Sequence, residues 1–344
     1  MKKKSVLNLI KYYSENNDAG FRNEAYDIAR DFDASGDTQL AEYIMALLSD
    51  ANTFVPQMSE NESVFFEKIE PVNDSLWLPD SITQDLLGIV HAVAHDAGIN
   101  KFLFQGAPGT GKTEAVKQLA RVLDREIYMV DFTAVIDSKL GQTQKNISEL
   151  FREIGSLVHP ERVVILLDEI DAVALDRTNT NDLREMGRAT SAMLKGLDYM
   201  NEKVVVIATT NLFSHFDKAL VRRFDSVIDF NRYTQKDLMT IAEEFLNKFL
   251  MKFKLGNKDI RIFRKIMALL NPIPYPGELK NLIKTAVAFS DPEDGTDYLR
   301  RLYDTVTGEK PEDLKKLQAQ SFTVREMEIL TKKPKSTVAR ELKE

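Results

Sequence analysis

The sequence predicts a parallel α/β sheet flanked by two helical regions, and three observations carry that prediction. Between Ser81 and Phe230 short apolar runs alternate with helical stretches, the alternation that builds a parallel sheet from βαβ units. From Ser5 to about Asp50 apolar residues recur only at helical spacing. After Thr234 the strand pattern stops and helical periodicity returns.

A chain of 344 residues exceeds a usual single domain, so two or three folded units are expected. No apolar run approaches the roughly 20 residues that span a bilayer. The basic opening Met1-Lys-Lys-Lys reads as an exposed helix start, because Lys11 and the polar stretch beyond cut the apolar segment too short for a leader. The absence of cysteine excludes disulfides, thiolate zinc sites and a cysteine nucleophile, and fits a reducing interior. The expected location is cytoplasmic, with no membrane partner. A formal charge of −7 speaks against a whole surface built for nucleic acid and leaves room only for a local basic patch.

In chain order, residues 1–50 read as a small all-α domain, with Ala25, Ile28, Ala29 and Phe32, then Leu40, Tyr43, Ile44 and Leu47, on its apolar faces. Gly20 and the Ser35-Gly36-Asp37 turn divide it, and Asp37 or Thr38 suits an N-cap. Residues 51–78, proline-containing and aperiodic, read as a linker whose Trp77 packs on the next domain. Residues 79–232 hold the strands, expected at 101–105, 126–131, 162–167, 203–209 and 226–230. Residues 233–290 read as a helical lid, with helices near 234–252, 258–270 and 277–290 and a capping-box start at Thr234 and Asp237. The Asp291-Pro-Glu-Asp-Gly295 turn opens a helical C-terminal extension, 291–344.

The chemistry starts at Gly106-Ala107-Pro108-Gly109-Thr110-Gly111-Lys112-Thr113. This phosphate-loop spacing follows an expected strand and opens a helix near Glu114, the context the motif requires. Glycines let backbone N–H groups close around phosphate oxygens, and the helix N-terminus adds positive potential there. Lys112 is placed to reach the β- and γ-phosphates of ATP, and Thr113 to ligate Mg2+ through its hydroxyl.

The second element is the apolar run Val163 to Leu167 ending in Asp168 and Glu169. A buried strand delivers both carboxylates to its C-terminal edge, where ligands of open parallel sheets bind. Alone, such a pair is more often a solvated strand end. Beside a phosphate loop, Asp168 suits magnesium and Glu169 the attacking water, adjacent strand residues pointing opposite ways.

With these motifs in hand, the chain from about Pro79 to Phe289 resembles an AAA ATPase module, similar to microtubule-severing and ESCRT-disassembling members and to small bacterial relatives. The resemblance implies a P-loop NTPase sheet with a C-terminal helical lid. It identifies Thr209-Thr-Asn211 as the sensor segment, with Asn211 on the γ-phosphate or the lytic water. It identifies Ala219 to Asp225 as the arginine-finger segment, with Arg222 and Arg223 pointing into a neighbouring subunit's nucleotide. It therefore implies a homo-oligomeric ring, a hexamer, in which assembly is part of catalysis. Gly277, in Pro276-Gly-Glu-Leu-Lys280, is the implied lid contact to nucleotide. Arg188 matches an arginine the family places near the pore and subunit boundary, and reads equally as a surface arginine. Lys139, Leu140 and Gly141 stand where the family has an aromatic, a hydrophobic residue and glycine lining the pore. The aromatic is missing, so Leu140 and the aliphatic stem of Lys139 would grip substrate.

The four histidines, His91, His95, His159 and His215, are scattered and form no His-Glu-x-x-His, so a fused zinc protease is excluded. Any proteolysis belongs to a separately encoded partner, a possibility the resemblance alone implies. Phe322 to Leu342 resembles a helix-turn-helix, its second helix capped by Ser336, with Thr337, Arg340, Lys332, Lys333 and Lys335 facing DNA in that reading. The basic surplus is modest, which favours a protein-contact or ring-packing role. The expected function is an ATP-hydrolysing ring that remodels protein substrates or complexes; the alternative is a nucleic-acid-associated ATPase using the C-terminal pair.

Overall fold

The computed structural model describes residues 3–14, 17–48, 65–70, 76–95, 97–136, 141–174, 182–255 and 258–343. The chain forms two units, Met1–Ser63 and Val64–Glu344.

The first unit holds α1 (Lys3–Ser14), α2 (Asp18–Ala34) and α3 (Thr38–Leu48). Gly20 lies inside α2 instead of breaking it, and Asn17 supplies the cap, its side chain accepting the Gly20 amide at 2.9 Å. The glycine serves close approach: a Cβ there would meet the Tyr12 ring at 2.8 Å. Ala25, Ile28 and Ala29 are buried as their spacing predicts, whereas Leu40 and Tyr43 stand on the exposed side of α3.

In the second unit the sheet contains β1 (Phe66–Ile69), β2 (Lys101–Gln105), β3 (Glu126–Val130), β4 (Val163–Leu167), β5 (Val205–Thr210) and β6 (Ser226–Asp229), in the order β1-β3-β4-β5-β2-β6. The five strands expected from apolar runs are all present and pair in parallel, with Leu103 opposite Ala208 and Leu166 opposite Ile207. β1 is the departure: it lies in the stretch read as linker and pairs antiparallel with β3, Phe66 opposite Val130. Four residues with a central Glu67-Lys68 pair give no apolar run, and the edge position tolerates them. Lys68 pairs across the strands with Glu126 at 3.0 Å.

Along the strands run α4 (Asp80–Ala94), α5 (Lys112–Val122), α6 (Phe132–Val135), α7 (Gln142–Gly155), α8 (Asp171–Ala174), α9 (Asp182–Asp198) and α10 (Lys218–Val221). Phe102, Phe104, Val164, Leu166 and Ile207 share a core with Ile82 and Ile89 of α4 and Val116 and Leu119 of α5. The residues alternating with them, Leu103, Ile165, Val206 and Ala208, are equally buried. A sheet covered on both faces explains why these strands read as continuous apolar runs without polar alternation.

After β6 come α11 (Gln235–Phe253), α12 (Ile260–Met267), α13 (Pro276–Ala288), α14 (Asp297–Thr307), α15 (Leu314–Ala319), α16 (Val324–Thr331) and α17 (Lys335–Glu341). The Thr234–Asp237 capping box is formed at the head of α11. One apolar core runs through all seven helices, from Leu238 and Phe263 through Leu279, Tyr298 and Leu317 to Met327 and Val338. The C-terminal helix pair is thus built into the lid core. α17 starts at Lys335 behind Pro334, not behind Ser336, because Glu328 Oε1 accepts the Lys335 amide at 3.1 Å. Lys332 pairs with Asp294 at 2.8 Å and Lys333 with Glu341 at 2.6 Å.

Candidate nucleotide site

Because β2, β4 and β5 are mutually parallel across the sheet, they end on one edge, and three loops meet there. The loop after β2 is the glycine motif. It turns into α5 at Lys112, two residues earlier than the spacing suggested, with Gly111 as N-cap at φ 93° and Gly109 at φ 76°. Both lie in the left-handed region that a side chain disfavours. The first amides of α5 lack intrahelical acceptors and present their hydrogens and the positive helix end to the loop's interior.

Lys112 is 7% exposed, and its Nζ donates to Gly106 O at 2.7 Å, Ala107 O at 3.0 Å and Asn211 Oδ1 at 2.8 Å. Burial pulls its pKa below the ordinary lysine value, opposed by the carboxylates of Asp168, Asp171 and Glu169. A desolvated cation with neutral acceptors is primed to exchange them for an anion.

Asp168 and Glu169 lie just beyond β4, in a turn. They diverge because Glu169 takes a left-handed conformation, φ 51°, not through strand alternation. Strained backbone of this kind concentrates at functional sites. Asp168 Oδ1 accepts the Thr113 hydroxyl at 3.0 Å and the Thr209 hydroxyl at 2.7 Å. Thr209 Oγ1 in turn accepts the Glu169 amide at 2.9 Å. Asn211 Nδ2 donates to Glu169 Oε1 at 3.3 Å, so one carboxamide bridges Lys112 and Glu169.

Asp171, which the sequence reading passed over, holds this last segment in place. It is 8% exposed, and its carboxylate accepts the Thr210 hydroxyl and, at 3.0 Å, the Asn211 amide. An acid set between Ile170 and Val173 in an apolar stretch was the available signal.

A cavity of about 320 Å³ opens over these groups, and Pro108, Gly109, Gly111, Lys112, Thr113, Asp168, Glu169, Asn211 and Gly277 all line it. Its apolar end is made by Leu76, Trp77, Phe245 and Pro276, with Lys248 and Lys280 nearby. Trp77, expected to pack on the next domain, lies against it at this opening and stays 44% exposed. Of these, Pro276 and Lys280 belong to the lid turn that the family resemblance singles out; the others carry no such signal, since Phe245 sits on α11 with core-like spacing and Leu76 and Trp77 fall in an aperiodic stretch.

Arg222 and Arg223, at the end of α10, do not line the cavity of their own chain. Arg223 is bound to Asp198, Nε to Oδ1 at 2.9 Å and Nη2 to Oδ2 at 3.2 Å. Arg222 is exposed. Arg188 is also exposed, on α9. The expected pore residues Lys139 and Leu140 lie outside the described residues.

The oxygen donors of Thr113 and Asp168, 3.0 Å apart, match the preference of magnesium, which takes one or two protein oxygens and completes its shell with phosphate and water. Among the described residues no group of three or more His, Cys, Asp or Glu side chains could hold a metal by itself. The residues present therefore fit an ion that arrives with nucleotide.

Parallel strands that converge on a glycine loop, a buried lysine and a threonine–aspartate pair form the arrangement of a phosphate-loop nucleotide-binding domain. Residues 102–232 match the ATPase family associated with various cellular activities (AAA). Residues 102–232 thus carry an AAA-type module. It is similar to an uncharacterized AAA family ATPase, y4kL, of Sinorhizobium fredii, 33% identical over 49% of this chain and 53% of that protein. Proteasome-activating nucleotidase 2 of Halobacterium salinarum is 30% identical over 53% of this chain and 45% of that protein. The fold is shared with a chain of the HORMA:CdnC:Trip13 complex from E. coli MS115-1, with a TM-score of 0.58 at 18% identity over 72% of this chain and 96% of that one. The chain spans about two-fifths to one half of the length of the curated relatives it matches. Among the described residues no helix is long and apolar enough to cross a membrane.

Proposed function

We propose that this chain is a magnesium-dependent ATPase that assembles as a homo-oligomeric ring, a hexamer, and uses hydrolysis to remodel protein substrates. The observation that carries the reading is the single hydrogen-bonded set Thr113–Asp168–Thr209–Glu169–Asn211–Lys112 at the mouth of one cavity. In it Lys112 exchanges its carbonyl partners for β- and γ-phosphate oxygens, and the amides after Gly109 surround the β-phosphate. Thr113 and Asp168 hold the magnesium, which when bound neutralises charge on the phosphates. Glu169 polarises the attacking water, and Asn211 aligns that water with the γ-phosphate. The base stacks at the apolar end, between Trp77 and Phe245.

Among the described residues no arginine lines the chain's own cavity, and exposed Arg222 suits completion of a neighbour's site, which makes the ring part of the chemistry. Likeness to a proteasome-activating nucleotidase supports a protein substrate, with service to a separate protease as one form of the task. The nucleic-acid alternative finds less support, since Lys332 and Lys333 are already paired with carboxylates of the same chain.

Glu169→Gln tests the chemistry. Turnover of ATP should fall at least about a hundredfold, while ATP still changes the fluorescence of Trp77, the one tryptophan of the chain. Turnover at the wild-type rate would remove Glu169 from its role.

A further inference from the structure

The phosphate loop is held from outside at several backbone points: Thr210 O at the end of β5 accepts the Gly106 amide at 3.2 Å, and three further contacts come from residues that lead into the lid or belong to it. Asn231, two residues past β6, accepts the Ala107 amide on Oδ1 at 2.8 Å. Its own N–H and Nδ2 both reach Asp229 Oδ1 at 2.9 Å, which aims the carboxamide. Tyr233 donates its hydroxyl to Thr110 O at 2.7 Å. From the first turn of α13, the Gly277 amide donates to Gly109 O at 2.8 Å, and a Cβ at Gly277 would come within 2.8 Å of Gly109 Cα. Tyr233 is followed at once by Thr234, which caps α11, so this strap enters the lid without slack.

Peptide planarity gives these contacts a consequence. In a trans peptide the carbonyl of one residue and the N–H of the next point in opposite directions. Gly109 O and Thr110 O are turned toward the lid and the strap, so the amides of Thr110 and Gly111 turn the other way, into the loop. Those are donors a phosphate needs, and their orientation is fixed before any ligand arrives. The Tyr233 ring is shared by the sheet core and the helical core, and burial raises its pKa, keeping the hydroxyl a donor.

We propose that Asn231, Tyr233 and Gly277 are positioning residues that preset the phosphate loop, so that lid placement and phosphate affinity are one property of the chain. The proposal rests on the nucleotide reading of the site and names residues that act through the loop backbone, without touching the nucleotide base.

Inorganic tripolyphosphate is the probe, because it has no base and does not use the apolar end of the cavity. Binding of tripolyphosphate and of ATP is measured by competition against a fluorescent ADP on the full chain, for wild type, Tyr233→Phe and Asn231→Leu. Each variant should weaken both ligands by the same factor, about threefold to tenfold for one lost hydrogen bond. Loss of ATP affinity with tripolyphosphate unchanged would overturn the proposal, placing these residues on the base side. No change for either ligand would overturn it equally. Should Asn231→Leu fail to fold, Tyr233→Phe, which keeps the ring, carries the test alone. Lys112→Ala separates the two readings: if it still binds tripolyphosphate like wild type, the nucleotide site itself is misassigned and this proposal falls with it.

Discussion

Asp198, the last residue of α9, grips Arg223 through both carboxylate oxygens, at 2.9 and 3.2 Å, and among the described residues no ion pair or side-chain hydrogen bond engages the adjacent Arg222. Two neighbouring arginines that the family pattern treats alike therefore stand in different states. A bidentate carboxylate fixes the guanidinium plane as well as its charge, so Arg223 anchors the turn after α10. Arg222 is left to reach outward.

Unequal effects follow for the two positions. Arg222→Ala should lower ATP turnover by roughly 10³-fold or more if it stabilises transition-state charge in a neighbouring site. Arg223→Ala and Asp198→Asn should cost much less, and the two should resemble each other, because each removes the same clamp. The clamp is half-exposed, so its loss should shift stability by no more than about 1 kcal/mol. Mixing Arg222→Ala chains, which keep a complete site of their own, with Glu169→Gln chains, which keep the arginine, should restore turnover. Equal activity of Arg222→Ala and Arg223→Ala would cancel the distinction.

Lys112 sets an alkaline limit. Its folded pKa lies below the ordinary lysine value because of burial. As pH rises through that lowered value the nucleotide-free site loses its cation before an exposed lysine would. ATP affinity should fall on the alkaline side with a limiting slope of about tenfold per pH unit, beginning below the usual pKa of about 10.4. The sign for stability is opposite. Between the folded and unfolded pKa values the unfolded chain binds the extra proton, so this residue's contribution to stability rises with pH over the same window. A titration of ATP affinity from pH 7 to 10 checks the first statement, and a flat profile would contradict it.

Much of this site is legible in the sequence for a physical reason: a phosphate-binding loop needs particular residue types at fixed spacing along one strand-loop-helix. Lys112 and Thr113 are read that way and Asp168 from the apolar run before it, and the structure brings the three to one cavity; the buried parallel strands are legible because both faces are apolar. What stays hidden is what depends on tertiary approach. Trp77, Phe245 and Asn231 meet the loop from sequence positions far from it, and their local patterns are those of a linker, a helix core and a strand end. β1 is hidden because an edge strand of four residues needs no apolar run. Glu169 is read from its residue type, but its geometry is not legible, since it lies in a turn past β4 with a left-handed φ of 51° and not in the alternation of the strand.

The lid carries a second titration. Glu326, 6% exposed, heads α16 with a capping box to Thr323. Its Oε2 accepts Lys265 Nζ at 2.6 Å, while Oε1 lies 3.1 Å from Arg261 Nε without hydrogen-bond alignment. Both cations come from α12, so this carboxylate fastens the C-terminal helices to the middle of the lid. Burial would raise its pKa, yet Lys265 and the Thr323 amide and hydroxyl outweigh that and hold it below the ordinary glutamate value of 4.5. With the folded value depressed, the stabilisation is complete above the unfolded pKa and is lost as pH falls through the folded one. Glu326→Gln should cost about 2–4 kcal/mol at pH 7, since it strands a partly buried lysine. The gap from wild type should narrow below about pH 4, where the wild-type carboxylate is itself protonated. Thermal melts of both chains between pH 3 and 8 measure this, and a gap that stays constant across that range would show that the charge of Glu326 does not hold the lid together.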